Sequence, residues 1–229
     1  MSHRIITVDG PAGSGKSTLG RALALELNLP LIDTGLFYRG VMVAAVRAGL
    51  DGSDPAALAQ LAATTRLTIN PDPNSAGDAV LVDDIAAGGL LRDPRHAALL
   101  ATIASQPLVR AAVLPLQRAP ATGGAVAVGR DCGTVVFPDA AVKFYLDAPQ
   151  AVREERRSVQ LRARGDAVDG TAIRAEVGDR DRIDSAREAS PLRRADDAHV
   201  IDTSVLGVRE MIDHALAICR AAGPLAAPQ

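Results

Sequence analysis

The sequence predicts an α/β fold in which a central, mostly parallel sheet is flanked by helices, and three observations lead there. Short apolar runs such as Ile5-Ile6-Thr7-Val8, Ala125 to Val128 and Val142 to Leu146 read as buried strands. Helical patterns lie between them, as the crossovers of a parallel sheet require. A glycine-rich stretch from Gly10 to Thr18 stands where the first strand gives way to the first helix.

The bulk numbers narrow the class. With 229 residues, 48% of them hydrophobic, the chain can bury a full core and fits one domain with insertions better than two. A net charge of −2 and a pI near 6.1 argue against a nucleic-acid partner. Cys132 and Cys219 are too few and too far apart for a disulfide framework or a zinc site, which suits a reducing, cytoplasmic location. No apolar run approaches a membrane span, and the first strand begins without a signal-peptide pattern, so no membrane partner is expected. Trp is absent and aromatic residues are scarce, so Ala, Val, Leu and Ile must build the core.

Taken in order, residues 4–8 form the first strand and Ser17 to Leu27 the first helix, with an apolar stripe from Leu19 to Leu27. Pro30-Leu31-Ile32 is a short buried strand ended by Asp33-Thr34-Gly35. Leu36 to Ala48 is a helix closed by Gly49. Asp54-Pro55 caps another, Ala56 to Thr65. The pattern then changes: residues 67–70 and 79–82 read as two antiparallel strands around a Pro-Asp-Pro-Asn turn region, foreign to a parallel core and so an insertion. Helices are predicted over Pro94 to Ala104 and Pro107 to about Arg118, where Pro115 should kink the second or shift its end. After the strands at Ala125 and Val142, the arginine-rich stretch from Ala151 to Arg187 is helical, interrupted by Gly165, Asp169 and Gly170. Ala198 to Ile201 is a last strand and Val205 to Ala222 a last helix, followed by a frayed tail from Gly223 to Gln229.

The glycine-rich stretch fits a phosphate-binding loop, with Gly10, Gly15, Lys16 and Ser17 at the spacing G-x-x-x-x-G-K-S. Gly10, Gly13 and Gly15 let the backbone turn its N–H groups, including those about Ser14 and Thr18, onto an anion. Lys16 brings a mobile charge to the β- and γ-phosphates of ATP, and the Ser17 hydroxyl is placed to ligate Mg²⁺. Only Lys16 and Lys143 are lysines among 25 cationic residues, so a lysine in this loop is not surface filler.

A bound triphosphate leaves three classes open. Neither Asn-Lys-x-Asp nor Asp-x-x-Gly occurs, which excludes a GTPase switch, and Ala125 to Val128 runs into Gly-Arg-Asp instead of ending on the acidic residue of a motor ATPase. A small-molecule kinase needs a second anion pocket, and Arg39 and Arg130 follow strand ends on the side where open parallel sheets bind ligands. Arg180, Asp184 and Arg187 share one helix face, as do Arg153, Arg156 and Arg157; in the second set the like charges repel unless an anion lies between them.

Four segments together, Gly10-Pro-Ala-Gly-Ser-Gly-Lys-Ser-Thr18, Asp33-Thr-Gly-Leu-Phe-Tyr38-Arg39, Gly129-Arg-Asp-Cys-Gly-Thr-Val-Val-Phe-Pro138 and Arg180-Asp-Arg-Ile-Asp184-Ser-Ala-Arg187, resemble bacterial cytidylate kinases over roughly residues 4 to 218. The resemblance implies a P-loop nucleoside monophosphate kinase fold and transfer of the γ-phosphoryl group of MgATP to CMP or dCMP by a monomer. It divides the single kinase domain, 1–229, into a core (about 1–35, 119–151 and 188–222), a monophosphate-binding region (about 36–118, with the antiparallel insertion 67–84) and a lid (about 152–187). It also implies that Arg39, Arg130 and Arg187 hold the acceptor phosphate, Arg180 and Asp184 the sugar, and Arg110 with Asp131 the cytosine. Thr34 and Tyr38 lie beside the acceptor, and Arg156 and Arg157 are lid arginines for the transferring phosphates. Another small acceptor such as UMP or shikimate, or a regulator that binds ATP without transfer, remains an alternative.

The chemistry agrees with such roles. Phosphoryl transfer asks for two anions held in line and their charge neutralised, so no general base is required. An Asp131 carboxylate accepts from the amino group of cytosine and opposes the carbonyl of uracil. This chain has Ala101 where related enzymes often have serine, with Ser105 one turn on; Cys132 reads as core packing.

Overall fold

The computed structural model describes residues 4–74, 80–163 and 169–223. Five parallel strands form the central sheet: β1 (Ile5–Asp9), β2 (Leu31–Asp33), β6 (Ala125–Val128), β7 (Val142–Asp147) and β8 (His199–Asp202), in the order β2-β6-β1-β7-β8. The side-chain alternation of β1 divides the interior. Ile6 and Val8 pack against helix α1 (Lys16–Glu26) and the last helix, α8 (Val208–Ala221), through Leu19, Leu23, Met211 and Leu216. Ile5, Thr7 and Asp9 occupy the alternate positions of the strand, and Ile5 joins the second layer. That layer is built by α2 (Thr34–Arg47), α3 (Pro55–Thr64), α4 (Ala97–Ser105) and α5 (Pro107–Arg118), together with the antiparallel strands β3 (Leu67–Ile69), β4 (Val80–Val82) and β5 (Ile85–Ala86). Helices α6 (Gln150–Ala163) and α7 (Gly170–Ala186), which connect β7 to β8 in the chain, pack on each other.

The departures from the sequence reading have physical reasons. Strand β5 was not expected; its two residues are exposed and too short to show a period. The expected helix at Pro94 opens as a 3₁₀ turn over Pro94–His96, and α4 starts only at Ala97. The last helix begins at Val208 instead of Val205, with Glu210 accepting from the Gly207 N–H. Pro115 does not end α5, which runs on to Arg118: so near the C-terminus, the missing N–H removes one bond, and the Ala119 N–H still donates to the Pro115 carbonyl. Ala79, Gly165 and residues 224–229 lie outside the described residues.

Lys143, the second lysine, is buried on β7 and pairs with Asp197 at 2.8 Å, holding the chain just before β8. At Gly10 the loop leaves β1 with φ +147°, and a Cβ there would stand 2.1 Å from the Leu146 carbonyl oxygen. Only glycine fits. Gly10→Ala is therefore expected to cost about 3 kcal/mol from backbone strain and overlap. That corresponds to a melting temperature roughly 6–12 °C lower in the absence of nucleotide, and an unchanged thermal melt would contradict the crowding described.

Candidate active site

Three strands deliver their ends to one place. The phosphate-loop stretch follows β1, Asp33 ends β2 with Thr34 after it, and Gly129 to Asp131 follow β6; these ends line a cavity of about 250 Å³. Helix α2 adds Tyr38 and Arg39, α5 adds Arg110, α6 adds Arg157, and α7 with its C-cap adds Arg180, Asp184 and Arg187.

On the loop side, Gly13, Lys16 and Ser17 line the cavity. Gly13 and Gly15 have φ of +75° and +95°, and Gly15 is the N-cap of α1. Gly10 and Ser14 are buried in the loop itself, and Thr18 is exposed on the first helical turn. Lys16 donates to the Pro11 carbonyl at 2.5 Å and to Ser14 Oγ at 3.4 Å. Burial, with Arg130 and Arg180 adding to it, drives the Lys16 amine well below its ordinary value. A polyanion in the cavity reverses that balance by restoring favourable charge around the ammonium.

Beneath the loop, Asp9 ties β1 to the turn after β6. Its carboxylate accepts from the Cys132 N–H at 2.9 Å and the Gly133 N–H at 2.7 Å. Burial pushes the acid up to about 6, although both amide bonds favour its ionised form. The turn is one wide π-type loop over Cys132–Val136, closed by Val136 N–H to Asp131 O and Phe137 N–H to Cys132 O. Cys132 is buried against Thr34, as its reading as packing anticipates.

Opposite the loop, charges alternate. Asp131 meets Arg110 at 2.5 Å, with both side chains about 5% exposed (5% and 6%). Arg110 also donates to the Ala104 carbonyl at 2.8 Å and lies 4.9 Å over the Tyr38 ring. Tyr38 itself is buried, which pushes its phenol up to about 12. Arg130 Nε donates to Asp184 at 2.9 Å, and Arg187 approaches the other Asp184 oxygen at 3.3 Å. Arg187 Nε and Nη2 are nevertheless buried with no hydrogen-bond acceptor, beside an open cavity. Buried donors in that state are what an anion's oxygens satisfy. Arg39 donates to the Leu91 carbonyl at 2.9 Å while still lining the cavity.

Several residues singled out from sequence make protein contacts instead of standing open to the cavity. Arg156 Nη1 and Nη2 donate to Thr203 Oγ1 at 2.8 Å and to the Thr203 carbonyl at 2.5 Å. Of the second arginine set only Arg157 lines the cavity, and Arg153 is held by Asp181. Thr34 does line the cavity, but its hydroxyl donates to the Val128 carbonyl at 3.0 Å. Leu100 and Ala104, not Ala101 or Ser105, form the α4 wall, and the Ser105 hydroxyl donates to Thr102 O at 2.8 Å.

Asp9, Asp33, Arg92 and Asp181, the partner of Arg153, were not singled out as site residues. Asp33 and Asp181 lie inside the quoted motifs and Asp9 immediately precedes the first, so their position was a usable signal. Arg92 ends a 3₁₀ stretch, Gly88–Arg92, with no motif around it.

A family model described as cytidylate kinase matches residues 6–221. The chain is 42% identical over 208 residues to a cytidylate kinase of Pelotomaculum thermopropionicum, covering 90% of this chain and 92% of that protein. To one of Rhodococcus jostii it is 40% identical, covering 95% of each. A bifunctional pantoate ligase/cytidylate kinase of Synechococcus elongatus is 40% identical across 96% of this chain, which spans 42% of that protein. Among solved structures, an uncharacterized protein from Eubacterium ventriosum shares the fold with a TM-score of 0.52 at 13% identity, over 95% of this chain and 98% of that one.

Proposed function

The chain belongs to the cytidylate kinase family, and from that premise we propose that it transfers the γ-phosphoryl group of ATP to CMP or dCMP, giving ADP and CDP or dCDP. The observation that carries the reading is one cavity lined by two sets of residues. Gly13, Lys16 and Ser17 of the loop line it together with Arg39, Arg130 and Arg187, which come from other elements. An enzyme that only held ATP has no use for the second set of cations.

In this reading the loop holds the donor's phosphates and Lys16 follows the charge as it moves toward the acceptor. Arg130 and Arg187, braced by Asp184, orient the acceptor phosphate for in-line attack, while Arg39 supports it from α2. Arg110 and Asp131 take the cytosine edge, Tyr38 packs beside it, and Arg180 with Asp184 reaches the sugar. Arg157, and Arg156 if its bonds to Thr203 exchange on closure, serve the transferring group. Each desolvated Arg contact contributes about 1.5–3 kcal/mol.

The residues also fit Mg²⁺. Among the described residues no cluster of His, Cys, Asp or Glu could cage a metal, and Ser17 presents an exposed hydroxyl at the loop. That donor set suits an ion completed by phosphates and water. Held by Ser17, the ion would supply charge neutralisation to the transferring phosphates. No single helix among the described residues is long and apolar enough to cross a membrane. The reading takes the enzyme as a cytoplasmic monomer acting on free nucleotides.

The test is a coupled assay with MgATP and each nucleoside monophosphate in turn. CMP and dCMP are expected to give the highest kcat/KM, exceeding UMP by about 10² or more. UMP or shikimate outpacing CMP would remove the cytosine reading, and ATP binding without CMP-dependent ADP release would leave a regulator.

A further inference from the structure

Arg153 and Asp181 form a closed set of contacts with the phosphate loop that the kinase reading leaves without a purpose. The Ala12 N–H donates to Asp181 Oδ1 at 3.2 Å, and Arg153 Nη1 donates to the Ala12 carbonyl at 3.0 Å. The same Nη1 is paired with Asp181 Oδ2, and Arg153 Nε donates to the Ala148 carbonyl at 3.0 Å. Both backbone groups of one loop residue are thus taken, one by each lid helix. The loop and α6 are in direct contact, since a Cβ at Gly13 would stand 3.0 Å from the Arg153 carbonyl oxygen. Arg153 is 8% exposed and Asp181 19%, so the contact is largely sheltered from water.

We propose that Arg153 and Asp181 are a positioning pair that seats α7 on the phosphate loop and thereby aims Arg180, Asp184 and Arg187 at the acceptor; this rests on the phosphoryl-transfer reading above. The geometry of α7 gives the reason. Asp181 adjoins Arg180, and Asp184 and Arg187 follow three and six residues later, so the height and rotation of the helix at Asp181 decide where the other three point. Asp181 also supplies the anion that the crowded arginines of α6 require, which lets Arg153 lie buried beside Arg156 and Arg157.

The pair carries an electrostatic cost that distinguishes it from ordinary packing. A carboxylate hydrogen-bonded to a loop that cradles phosphates repels the donor, so Asp181 opposes ATP binding while it supports transfer. Removing its charge moves the two quantities in opposite directions. A residue that only stabilised the fold would move both the same way.

The experiment uses the full chain and Asp181→Asn, which preserves shape and an acceptor for the Ala12 N–H. Equilibrium binding of MgATP without acceptor is expected to be unchanged or tighter, whereas kcat with CMP falls about 10- to 100-fold because the lid groups are misaligned. ADP release without any acceptor, as a fraction of turnover with CMP, is expected to rise about tenfold as the lid seals less well. The double variant Arg153→Gln with Asp181→Asn should lose no more than the worse single, the signature of two residues acting as one unit. Turnover within twofold of the parent overturns the proposal, and so does ATP affinity that falls in step with kcat and melting temperature. The parent is assayed alongside with CMP: its failure to turn over would overturn the function, whereas a defect or its absence in Asp181→Asn speaks only to the pair.

Discussion

Arg187→Ala is expected to lower kcat/KM by about 10²–10⁴ for CMP, dCMP and UMP alike, while leaving the affinity for ATP within twofold. The magnitude comes from the two donors of Arg187, Nε and Nη2, that are buried without an acceptor. Two charge-assisted bonds to an acceptor phosphate, at about 1.5–3 kcal/mol each, give about 3–6 kcal/mol. The loss is common to all acceptors because they share the phosphate and differ in the base. Arg187→Lys should recover about tenfold at most, since a point charge cannot present the paired donors of a guanidinium. The nucleotide-free protein should be barely destabilised. Asp184 keeps Arg130 at 2.9 Å after the 3.3 Å contact to Arg187 is gone, and two unsatisfied donors go with it. A melting temperature shifted by less than about 3 °C, roughly 1 kcal/mol, is expected. Steady-state kinetics across the three acceptors, with a thermal melt of each variant, checks this; a loss confined to one base would move Arg187 away from the phosphate.

What could be read from the sequence tracks how local the determining physics is. The loop from Gly10 to Thr18 was legible because its backbone must bend where side chains cannot follow, and glycine is the residue that allows it. The core strands at Ile5, Ala125 and Val142 were legible because short apolar runs of four or five residues alternate there with helical patterns. Strand β5 was not, since Ile85 and Ala86 are too short for any period to show. The arginines of α6 show the limit within the site. Arg153, Arg156 and Arg157 fall inside an arc of about 100° on the helix. Spacing therefore placed them together but could not decide which end of the arc faces the cavity. Contacts to Ala148 and Thr203 decide it, turning Arg157 inward and tying down the other two. Asp9 is a similar case, because only the turn after β6, more than a hundred residues away, makes its carboxylate a bracket for two amides.

Asp131→Ala is expected to change what the enzyme prefers as well as how fast it works. The carboxylate is paired with Arg110 at 2.5 Å in a nearly water-free corner, and Arg110 is held in turn by Ala104 and stacked over Tyr38. Removing one partner of such a buried pair costs about 3–5 kcal/mol, because the remaining charge is left unmatched. The melting temperature should therefore fall by roughly 6–20 °C. Removing both charges, in Arg110→Ala with Asp131→Ala, should cost less per residue than the single change. Selectivity is read from a ratio in which that instability cancels, kcat/KM for CMP over kcat/KM for UMP, measured well below the melting transition. A carboxylate that accepts from the cytosine amino group and repels the uracil carbonyl gives discrimination approaching about 10⁴. Its loss should lower the ratio by about 10² or more, chiefly through CMP. If both acceptors lose equally, Asp131 acts only by holding Arg110 against Tyr38, and base selection must then come from the wall that Leu100, Ala104 and Val177 present to the cavity. The ratio separates the two roles because a misplaced Arg110 affects every base, whereas a missing acceptor affects only the base that carries a donor.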